Sequence, residues 1–296
     1  MLQLAHIVNP FRAPEGSEFR WAQPITWHTM RTARDFAARE VDVALFTAQY
    51  AEDRSMVPDG FTATPDLTRS VLDVGQFKGR RRLPLLVDIL DRLYDATEAP
   101  WLIFTNIDIA VMPHYYLTVS RLIQSGQDAF VINRRTVSDE YQAVEQIPLM
   151  YALIGVPHEG HDCFVFGRDV YRQFRLGLVS VGAPWVGRVL LWNLLRYSQR
   201  FEEFKAHHLT FHLGVTDWAS AVHSEYAAHN QRELQKVFAR LREEGVPLEK
   251  GAPLFPYVAE IWDVLGLEEY RPRPRSRWRA TARRLGRWRF PRRGSR

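Results

Sequence analysis

Two polar side chains, Asn106 and Asp108, interrupt an apolar run in the segment WLIFTNIDIAVMPHYY, residues 101–116. The run from Trp101 to Phe104 has the composition of a buried strand, so an amide and a carboxylate at its end call for an explanation. In open α/β sheets, ligands bind outside the carboxyl ends of the strands. A carboxylate there can hold Mg²⁺ or Mn²⁺, which take oxygen ligands together with substrate phosphates. The alternation places both side chains on one face of a strand and predicts a site for a cation and a phosphorylated ligand.

Two later segments carry groups that can move protons or bind metal. In EGHDCFVFGRDVY, His161 and Asp162 stand directly before an apolar strand. In HLTFHLG, His212 lies in a short predicted strand that ends at a glycine turn. Carboxylates and imidazoles act as general bases, and a neutral imidazole is also a metal ligand.

Basic side chains supply candidate contacts for phosphate. The segment FKGRRRLP places Lys78 and Arg82 just before a predicted helix, and Arg134 follows a predicted strand. Helix N-termini favour anions, and arginine binds phosphate through two parallel hydrogen bonds. Asn9, at the polar turn after the first strand, is a further predicted contact. The sequence contains neither GxxxxGK[ST] nor GxGxxG, which excludes a P-loop or a dinucleotide fingerprint as the phosphate site.

The segment FTNIDIAVMPHYY resembles the Asp-x-Asp-type segment of GT-A glycosyltransferases, nucleotide-sugar-dependent enzymes with a Rossmann-like fold. The resemblance implies that Asp108 binds the metal, while Asn106 replaces the first acid and is carried over only as a ribose or phosphate contact. EGHDCFVFGRDVY resembles the acceptor-side strand of such enzymes, which implies a catalytic or acceptor-binding role for Asp162, with His161 beside it. FHLGVTDW resembles a late segment that returns a histidine to the metal, which implies His212. The resemblance covers roughly residues 2–220.

Each of these residues also has a structural explanation. Asp108 is compatible with a cap of the following turn, and Asn106 with an Asx-turn. His212 is compatible with a strand histidine that only forms a hydrogen bond. Asp162 is compatible with a salt bridge to Arg168, and the basic residues before the helix with a solvated helix start. A zinc site built from the histidines is disfavoured, because no cysteine or acid joins them at a usual spacing.

Strands and helices alternate along the chain, which predicts a mostly parallel sheet flanked by helices, of the Rossmann-like GT-A type, with a C-terminal helical section. The predicted strands are 2–11, 41–46, 101–111, 128–133, 162–166 and 207–214, and the predicted helices 24–39, 83–94, 114–124, 139–153, 186–201 and 232–244. We predict one catalytic domain over residues 1–270. Its donor-binding part is about 1–135 and its acceptor-side part about 136–270.

Composition favours a globular protein of a reducing compartment. The apolar fraction of 46% is enough for a large core, and the single cysteine, Cys163, excludes an intrachain disulfide. The first twenty residues contain no apolar run of signal-peptide length, and no run of about 18 apolar residues occurs elsewhere. These features predict a cytoplasmic location.

The charge is split between the body and the C-terminus. Residues 271–296 contain twelve arginines and no acid, so subtracting twelve from the net +5 leaves −7 for residues 1–270. An acidic body makes nucleic acid an improbable partner of the globular part. The tail places Trp278, Leu285 and Trp288 at helical spacing among arginines, which predicts binding to an anionic membrane surface on the inner face. A disordered basic tail and a tail that binds nucleic acid are the alternatives.

These features together predict a metal-assisted glycosyltransferase that uses Mn²⁺ or Mg²⁺. It moves a sugar from a nucleotide-diphosphate sugar to a glycan or lipid-linked acceptor in cell-surface polysaccharide assembly. A nucleotidyltransferase acting on a sugar phosphate is the rival enzyme, although NPFRAPEGSEFRW lacks a glycine-rich loop followed by a basic residue. A non-catalytic protein that binds nucleotides or carbohydrates is the third alternative.

Overall fold

The structure is a computed structural model that describes residues 1–214, 224–251 and 264–266. The chain divides into two units, Met1–Pro247 and Leu248–Arg296. The strands and the candidate site belong to the first unit. The predictions made for the arginine-rich residues 271–296 fall outside the described residues.

Within the described residues, nine strands form one sheet in the order β3-β2-β1-β4-β7-β6-β9-β5, with β8 paired to β6. β1 pairs in parallel with β2 and β4, and β6 pairs in parallel with β8 and β9. β7 lies antiparallel between β4 and β6, and β5 is antiparallel to β9. The strands are β1 (Leu2–Val8), β2 (Val41–Thr47), β3 (Thr62–Ala63), β4 (Trp101–Thr105), β5 (Ala110–Val111), β6 (Ala129–Val137), β7 (Val156–Gly167), β8 (Phe201–Phe204) and β9 (Thr210–Leu213).

The helices cover the sheet by burying apolar faces. Trp27, Met30 and Ala33 of α1 share a buried cluster with Tyr116 and Val119 of α3. α2 packs against β1 and β4, and α6 against β7. Among the described residues, no helix combines the length and the apolar character needed to cross a membrane. The helices are α1 (Phe19–Ala37), α2 (Leu86–Ala96), α3 (Tyr115–Gln124), α4 (Ile147–Ala152), α5 (Arg168–Tyr171), α6 (Val186–Tyr197), α7 (Glu225–Glu243) and α8 (Leu248–Gly251).

The predicted fold class is confirmed: the chain is a mixed α/β protein with a mostly parallel sheet flanked by helices. The β3-β2-β1-β4 order is that of a Rossmann-like half sheet. The helices of residues 225–243 and 248–251 form the predicted C-terminal helical section.

Several predicted elements need correction. The strand predicted over 101–111 is two strands, β4 and β5, because a turn at Asn106–Ile109 interrupts it. The helix predicted over 139–153 is helical only at 147–152, after a short 3₁₀ turn at 144–146. The helix predicted over 186–201 ends at Tyr197, and the unpredicted strand β8 begins four residues later. The helix predicted from Pro24 begins at Phe19, so the proline lies inside α1.

Candidate functional site

Asn106 and Asp162 meet at the carboxyl end of β4. The antiparallel register pairs Thr105 with Cys163. Asn106, which follows Thr105, therefore lies opposite Asp162, which precedes Cys163. The Asn106 Nδ2 atom donates a hydrogen bond to Asp162 Oδ1 over 3.2 Å. The strand register thus brings together two predicted site residues that are 56 positions apart.

Arg134 reaches the other oxygen of the same carboxylate. Its Nη1 atom donates to Asp162 Oδ2 over 2.7 Å, and the two side chains are only 8% and 12% exposed. The ladder between β6 and β7 shifts register on both sides of Asn133. Such irregularities redirect side chains next to functional sites. Arg134 therefore lies beside Asp162, but it lies inside β6, which runs to Val137, and not after the end of a strand as predicted.

His212 and Asp108 also meet, across more than a hundred residues of sequence. A turn in which Ile109 N donates to Asn106 O over 3.2 Å carries Asp108 off the end of β4. β5 pairs Ala110 with Phe211, which brings His212 of β9 alongside. The distance from His212 Nε2 to Asp108 Oδ2 is 3.3 Å. The predicted proximity of these two side chains is confirmed, whereas their role as metal ligands stays a prediction.

The hydrogen bonds of His212 indicate how its ring is oriented. His212 Nδ1 lies 3.0 Å from Gly214 O. A carbonyl oxygen only accepts, so Nδ1 carries a hydrogen and, in the neutral ring, Nε2 presents its lone pair to the Asp108 carboxylate. Two acceptors facing each other are stable only if the ring is protonated or a cation lies between them.

The Asp108 carboxylate is charged and incompletely paired. Burial raises its pKa, but the hydrogen bond and charge of His212, with the charge of Arg134, outweigh burial and lower the pKa below its usual value. Oδ1 of Asp108 is buried and has no hydrogen-bond partner among the described residues. A buried ionised oxygen without a partner is costly, so this position suits a cationic ligand.

The pair fits part of the ligand set of a Mg²⁺ or Mn²⁺ ion. Adjacent ligands of an octahedral ion with bonds of about 2.1 Å lie about 3.0 Å apart, close to the observed 3.3 Å between His212 Nε2 and Asp108 Oδ2. Among the described residues, no group of three or more His, Cys, Asp or Glu side chains is placed to hold a metal. The remaining ligands of such an ion have to come from substrate phosphates or water, as is usual for Mg²⁺.

His161 has both ring nitrogens engaged inside the protein. Its Nε2 lies 2.8 Å from Glu203 Oε1, with side-chain exposures of 1% and 5%. Arg188 Nη1 donates to its Nδ1 over 2.8 Å. Burial lowers the pKa of His161, the hydrogen bond to Glu203 opposes this, and the charge of Arg188 lowers it further. Sequence reasoning placed His161 in the site but missed Glu203 and Arg188, which nothing local marks as its partners.

Asn9 and Arg82 lie at a different place, the end of β1 and β2. Asn9 Nδ2 donates to Ala48 O over 2.5 Å. The Arg82 guanidinium lies 4.0 Å from the centroid of the Tyr50 ring and pairs with Glu52 over 2.5 Å. We call Asn9, Tyr50, Glu52 and Arg82 the β1–β2 end.

Among the residues that the structure describes, Lys78 is held through its backbone. Its amide nitrogen donates to Glu225 Oε2 of α7 over 2.7 Å, and its side chain is exposed.

We call Asn106, Asp108, Arg134, Asp162 and His212 the central cluster. Within the described residues, no recorded hydrogen bond or ion pair joins Asn9, Lys78 or Arg82 to the central cluster. Their predicted donor contacts stay predictions.

Comparison with known proteins gives only distant structural similarity. No known protein family and no curated protein matches the sequence. TarS of S. aureus, residues 1–349 in complex with UDP-GlcNAc, is 9% identical with a TM-score of 0.44 over 89% of this chain and 82% of that chain. The complex of the same fragment with UDP has a TM-score of 0.45 at 8% identity, over 89% of this chain and 81% of that chain. Full TarS has a TM-score of 0.43 at 9% identity, over 89% of this chain and 49% of that chain. At these values the similarity assigns no function, which has to be argued from the site residues.

Proposed function

We propose that this chain is a metal-assisted glycosyltransferase that moves a sugar from a nucleotide-diphosphate sugar to a glycan or lipid-linked acceptor. The observation that carries the proposal is the Asp108 carboxylate. One oxygen faces His212 Nε2 at 3.3 Å, and the other is buried without a hydrogen-bond partner among the described residues. A carboxylate and an imidazole in this arrangement, at the carboxyl end of a sheet strand, suit a cation that also binds a diphosphate.

Asp108 and His212 would hold the ion, and the charge of Arg134 lies close enough to Asp108 to lower its pKa. When bound, the ion supplies Lewis-acid neutralisation of the leaving diphosphate. Arg134 adds a cation whose direction is fixed by its 2.7 Å ion pair with Asp162. Preorganised charges of this kind stabilise the negative charge that develops as the glycosidic bond breaks. In this proposal Arg134 and Asn106 bind the donor.

Asp162 and His161 take different parts in the proposal. Among the described residues, the hydrogen bond that Asp162 Oδ1 accepts is the 3.2 Å bond from Asn106, so an acceptor hydroxyl can replace that amide and lose its proton to the carboxylate. Both nitrogens of His161 are engaged, by Glu203 and Arg188, at 2.8 Å each. We therefore assign the general-base role to Asp162 and no proton transfer to His161.

Calorimetry and thermal shift with a panel of nucleoside diphosphates, each with and without Mn²⁺, test the proposal. A ligand that binds only the native state raises its apparent stability, so the correct base is expected to stand out in the presence of the ion. Asp108→Asn is the matched control, because the amide keeps the size of the side chain and removes its charge. Absence of Mn²⁺-dependent binding for every diphosphate would overturn the proposal.

Turnover separates the three functional alternatives. A glycosyltransferase is expected to hydrolyse its nucleotide sugar slowly, and Asp108→Ala is expected to abolish that activity. A nucleotidyltransferase would instead release pyrophosphate from a nucleoside triphosphate and a sugar phosphate. A non-catalytic binding protein would bind the diphosphate and show neither reaction.

In the cell, we propose that the reaction takes place in the cytoplasm, with residues 271–296 holding the enzyme at the inner membrane face.

A further inference from the structure

A group of buried polar side chains lies directly behind Asp162. His161 of β7 contacts Glu203 of β8 and Arg188 of α6, each over 2.8 Å. Asn133 of β6 donates to the same Glu203 oxygen over 3.0 Å. Side chains of four different elements are therefore linked around one imidazole that is 1% exposed, with Glu203 and Arg188 in contact with the ring.

The chemistry of its two partners determines which ring nitrogen of His161 carries the hydrogen. A guanidinium only donates, so Nδ1 accepts from Arg188 and, in the neutral ring, the hydrogen is on Nε2. That hydrogen points to Glu203 Oε1, an acceptor. The other neutral tautomer would set the Nε2 lone pair against the carboxylate and the Nδ1 hydrogen against the guanidinium, so both hydrogen bonds would be lost.

The backbone at His161 is irregular in a way that concerns Asp162. Ile132 of β6 pairs with Cys163, and the next residue, Asn133, pairs with His161. Asp162 is therefore an extra residue in β7, a β-bulge, and its side chain is not directed by regular alternation. Whatever holds His161 in place also determines where the Asp162 carboxylate points.

The helix α6 approaches this bulge closely. A Cβ atom on Gly187 would lie 2.8 Å from His161 O, nearer than such atoms come in real proteins. The glycine thus lets the first turn of α6 rest on the backbone of His161, from where Arg188 reaches the ring. The position of His161 is fixed from the helix side and from the β8 side.

We propose that Glu203, acting through His161, is a positioning residue that fixes the bulge and so turns Asp162 toward Arg134 and Asn106. The inference rests on the proposed function, because the direction of Asp162 affects activity only if the central cluster binds the donor. Glu203 itself touches no reacting atom. Toward His161 and Asn133 it contributes one acceptor oxygen, Oε1, which a glutamine with its oxygen in that place retains. Its other oxygen, Oε2, pairs with the exposed Lys205 over 3.1 Å, and that contact is the one glutamine loses.

The test compares Glu203→Ala, Glu203→Gln and Glu233→Ala in the full chain. Glu233 of α7 is a matched control: its side chain is 8% exposed, it pairs with Lys236, and it accepts from Leu178 N over 3.0 Å, outside the central cluster. Glu203→Ala and Glu233→Ala are both expected to lower Tm. Only Glu203→Ala is expected to weaken Mn²⁺-dependent diphosphate binding, by about tenfold or more, as for other groups that orient ligand-binding side chains.

Glu203→Gln is expected to stay within about threefold of the native affinity, as a retained acceptor allows. The proposal is overturned if Glu233→Ala loses as much affinity as Glu203→Ala, since the effect would then be general destabilisation. It is also overturned if glutamine is as damaging as alanine, because charge and not position would then be required.

A second measurement does not depend on nucleotide binding. Nitrogen NMR of His161 is expected to show the hydrogen on Nε2 in the native chain, and a protected guanidinium signal of Arg134 in the native chain and in Glu203→Gln. In Glu203→Ala the protected Arg134 signal is expected to be lost, whereas the hydrogen stays on Nε2 because Arg188 still donates to Nδ1. If the native chain binds no nucleotide, the proposed function fails while this result still decides the inference. Unchanged Arg134 signals in Glu203→Ala would overturn it.

The role of His161 is tested by its own substitution. His161→Gln removes the imidazole that orients Asp162 but no group that transfers a proton, so slow hydrolysis of the nucleotide sugar is expected to fall in rate while its pH profile keeps the same shape. Loss of one limb of the pH profile would mean that His161 transfers a proton, and the positioning role would be wrong.

Discussion

The central cluster and the β1–β2 end lie at strand ends of the same sheet, but they are held by different forces. In the central cluster, Arg134 and Asp162 form an ion pair with side chains only 8% and 12% exposed. At the β1–β2 end, Arg82 and Glu52 form a pair whose side chains are 43% and 55% exposed. Exposed pairs contribute little to stability, whereas breaking a buried pair is costly. In the proposed function, the charged side chains around the leaving diphosphate are buried and held in place. Those predicted to contact the rest of the donor are exposed and free to change conformation.

Asp108→Asn is expected to have the largest effect and would show that the central cluster is a cation site. The amide lacks the charge that a hard divalent cation requires, so Mn²⁺-dependent binding of a nucleoside diphosphate is expected to be lost. The fold is expected to persist, because Asp108 lies in a turn beyond β4. Calorimetry measures the affinity and circular dichroism the fold. Unchanged Mn²⁺-dependent affinity would mean that Asp108 only caps the turn.

Asp162→Asn and Glu52→Gln compare the two ion pairs directly. Asp162→Asn removes the carboxylate charge that pairs with the buried Arg134 and is expected to cost about 3–5 kcal/mol of the free energy of unfolding. Glu52→Gln, at the exposed pair, is expected to cost less than about 1 kcal/mol. Urea denaturation of both variants provides the measurement. Equal losses of the free energy of unfolding would mean that the buried and the exposed ion pair do not differ in their contribution to stability.

His6 of β1 bonds Thr105, the residue before Asn106 of the central cluster, and its contribution to stability depends on pH. Its ring bonds Tyr116 Oη and Thr105 Oγ1, each at 2.9 Å, and burial lowers its pKa to about 3. Between the unfolded pKa of about 6.5 and this value, the unfolded state binds more protons, so stability falls as the pH falls. From pH 7 to pH 5 the loss from His6 is expected to be about 2 kcal/mol. In His6→Asn, the pH-dependent part of the unfolding free energy is expected to shrink by that amount; an unchanged pH dependence would contradict the buried neutral ring.

Removal of residues 271–296 is expected to have the smallest effect on chemistry, since the residues proposed to bind the donor and the ion all lie within residues 9–212. Turnover on a soluble acceptor is expected to stay nearly unchanged, while sedimentation with anionic liposomes at low salt is lost. The reason is the split of charge between twelve tail arginines and a body of −7. Equal sedimentation of the full and shortened chains would contradict the membrane role.

The sequence predicted the members of the central cluster better than it predicted the path of the chain through them. Alternation over 101–111 indicated one strand with Asn106 and Asp108 on one face. The structure has a turn there, yet Asp108 still reaches His212, because the turn leads into β5 beside β9. A short turn inside an apolar run leaves little local signal, since Ile107 and Ile109 are buried in either conformation.

The position of Glu203 could not be predicted from the local sequence, for a different reason. Residues 201–204, FEEF, follow an apolar helix without a glycine or proline, so the helix appeared to continue to 201. Their strand conformation comes from parallel pairing with β6, about 70 residues earlier, as Phe130 pairs with Glu202. Long-range pairing of this kind depends on the finished sheet and not on local propensity.

The pairing of β5 with β9 also has a consequence for the time at which the site is completed during synthesis. β5 and β9 are about a hundred residues apart, and Asp108 has no contact with His212 until that stretch has left the ribosome. Chains grow at about 5–20 residues per second, so Asp108 remains without this partner for roughly 5–20 s. A nascent chain that ends before Leu213 contains β1, β2 and β4 but lacks a complete β9. The proposed cation site is therefore expected to be completed only after most of the sheet that it depends on has been made.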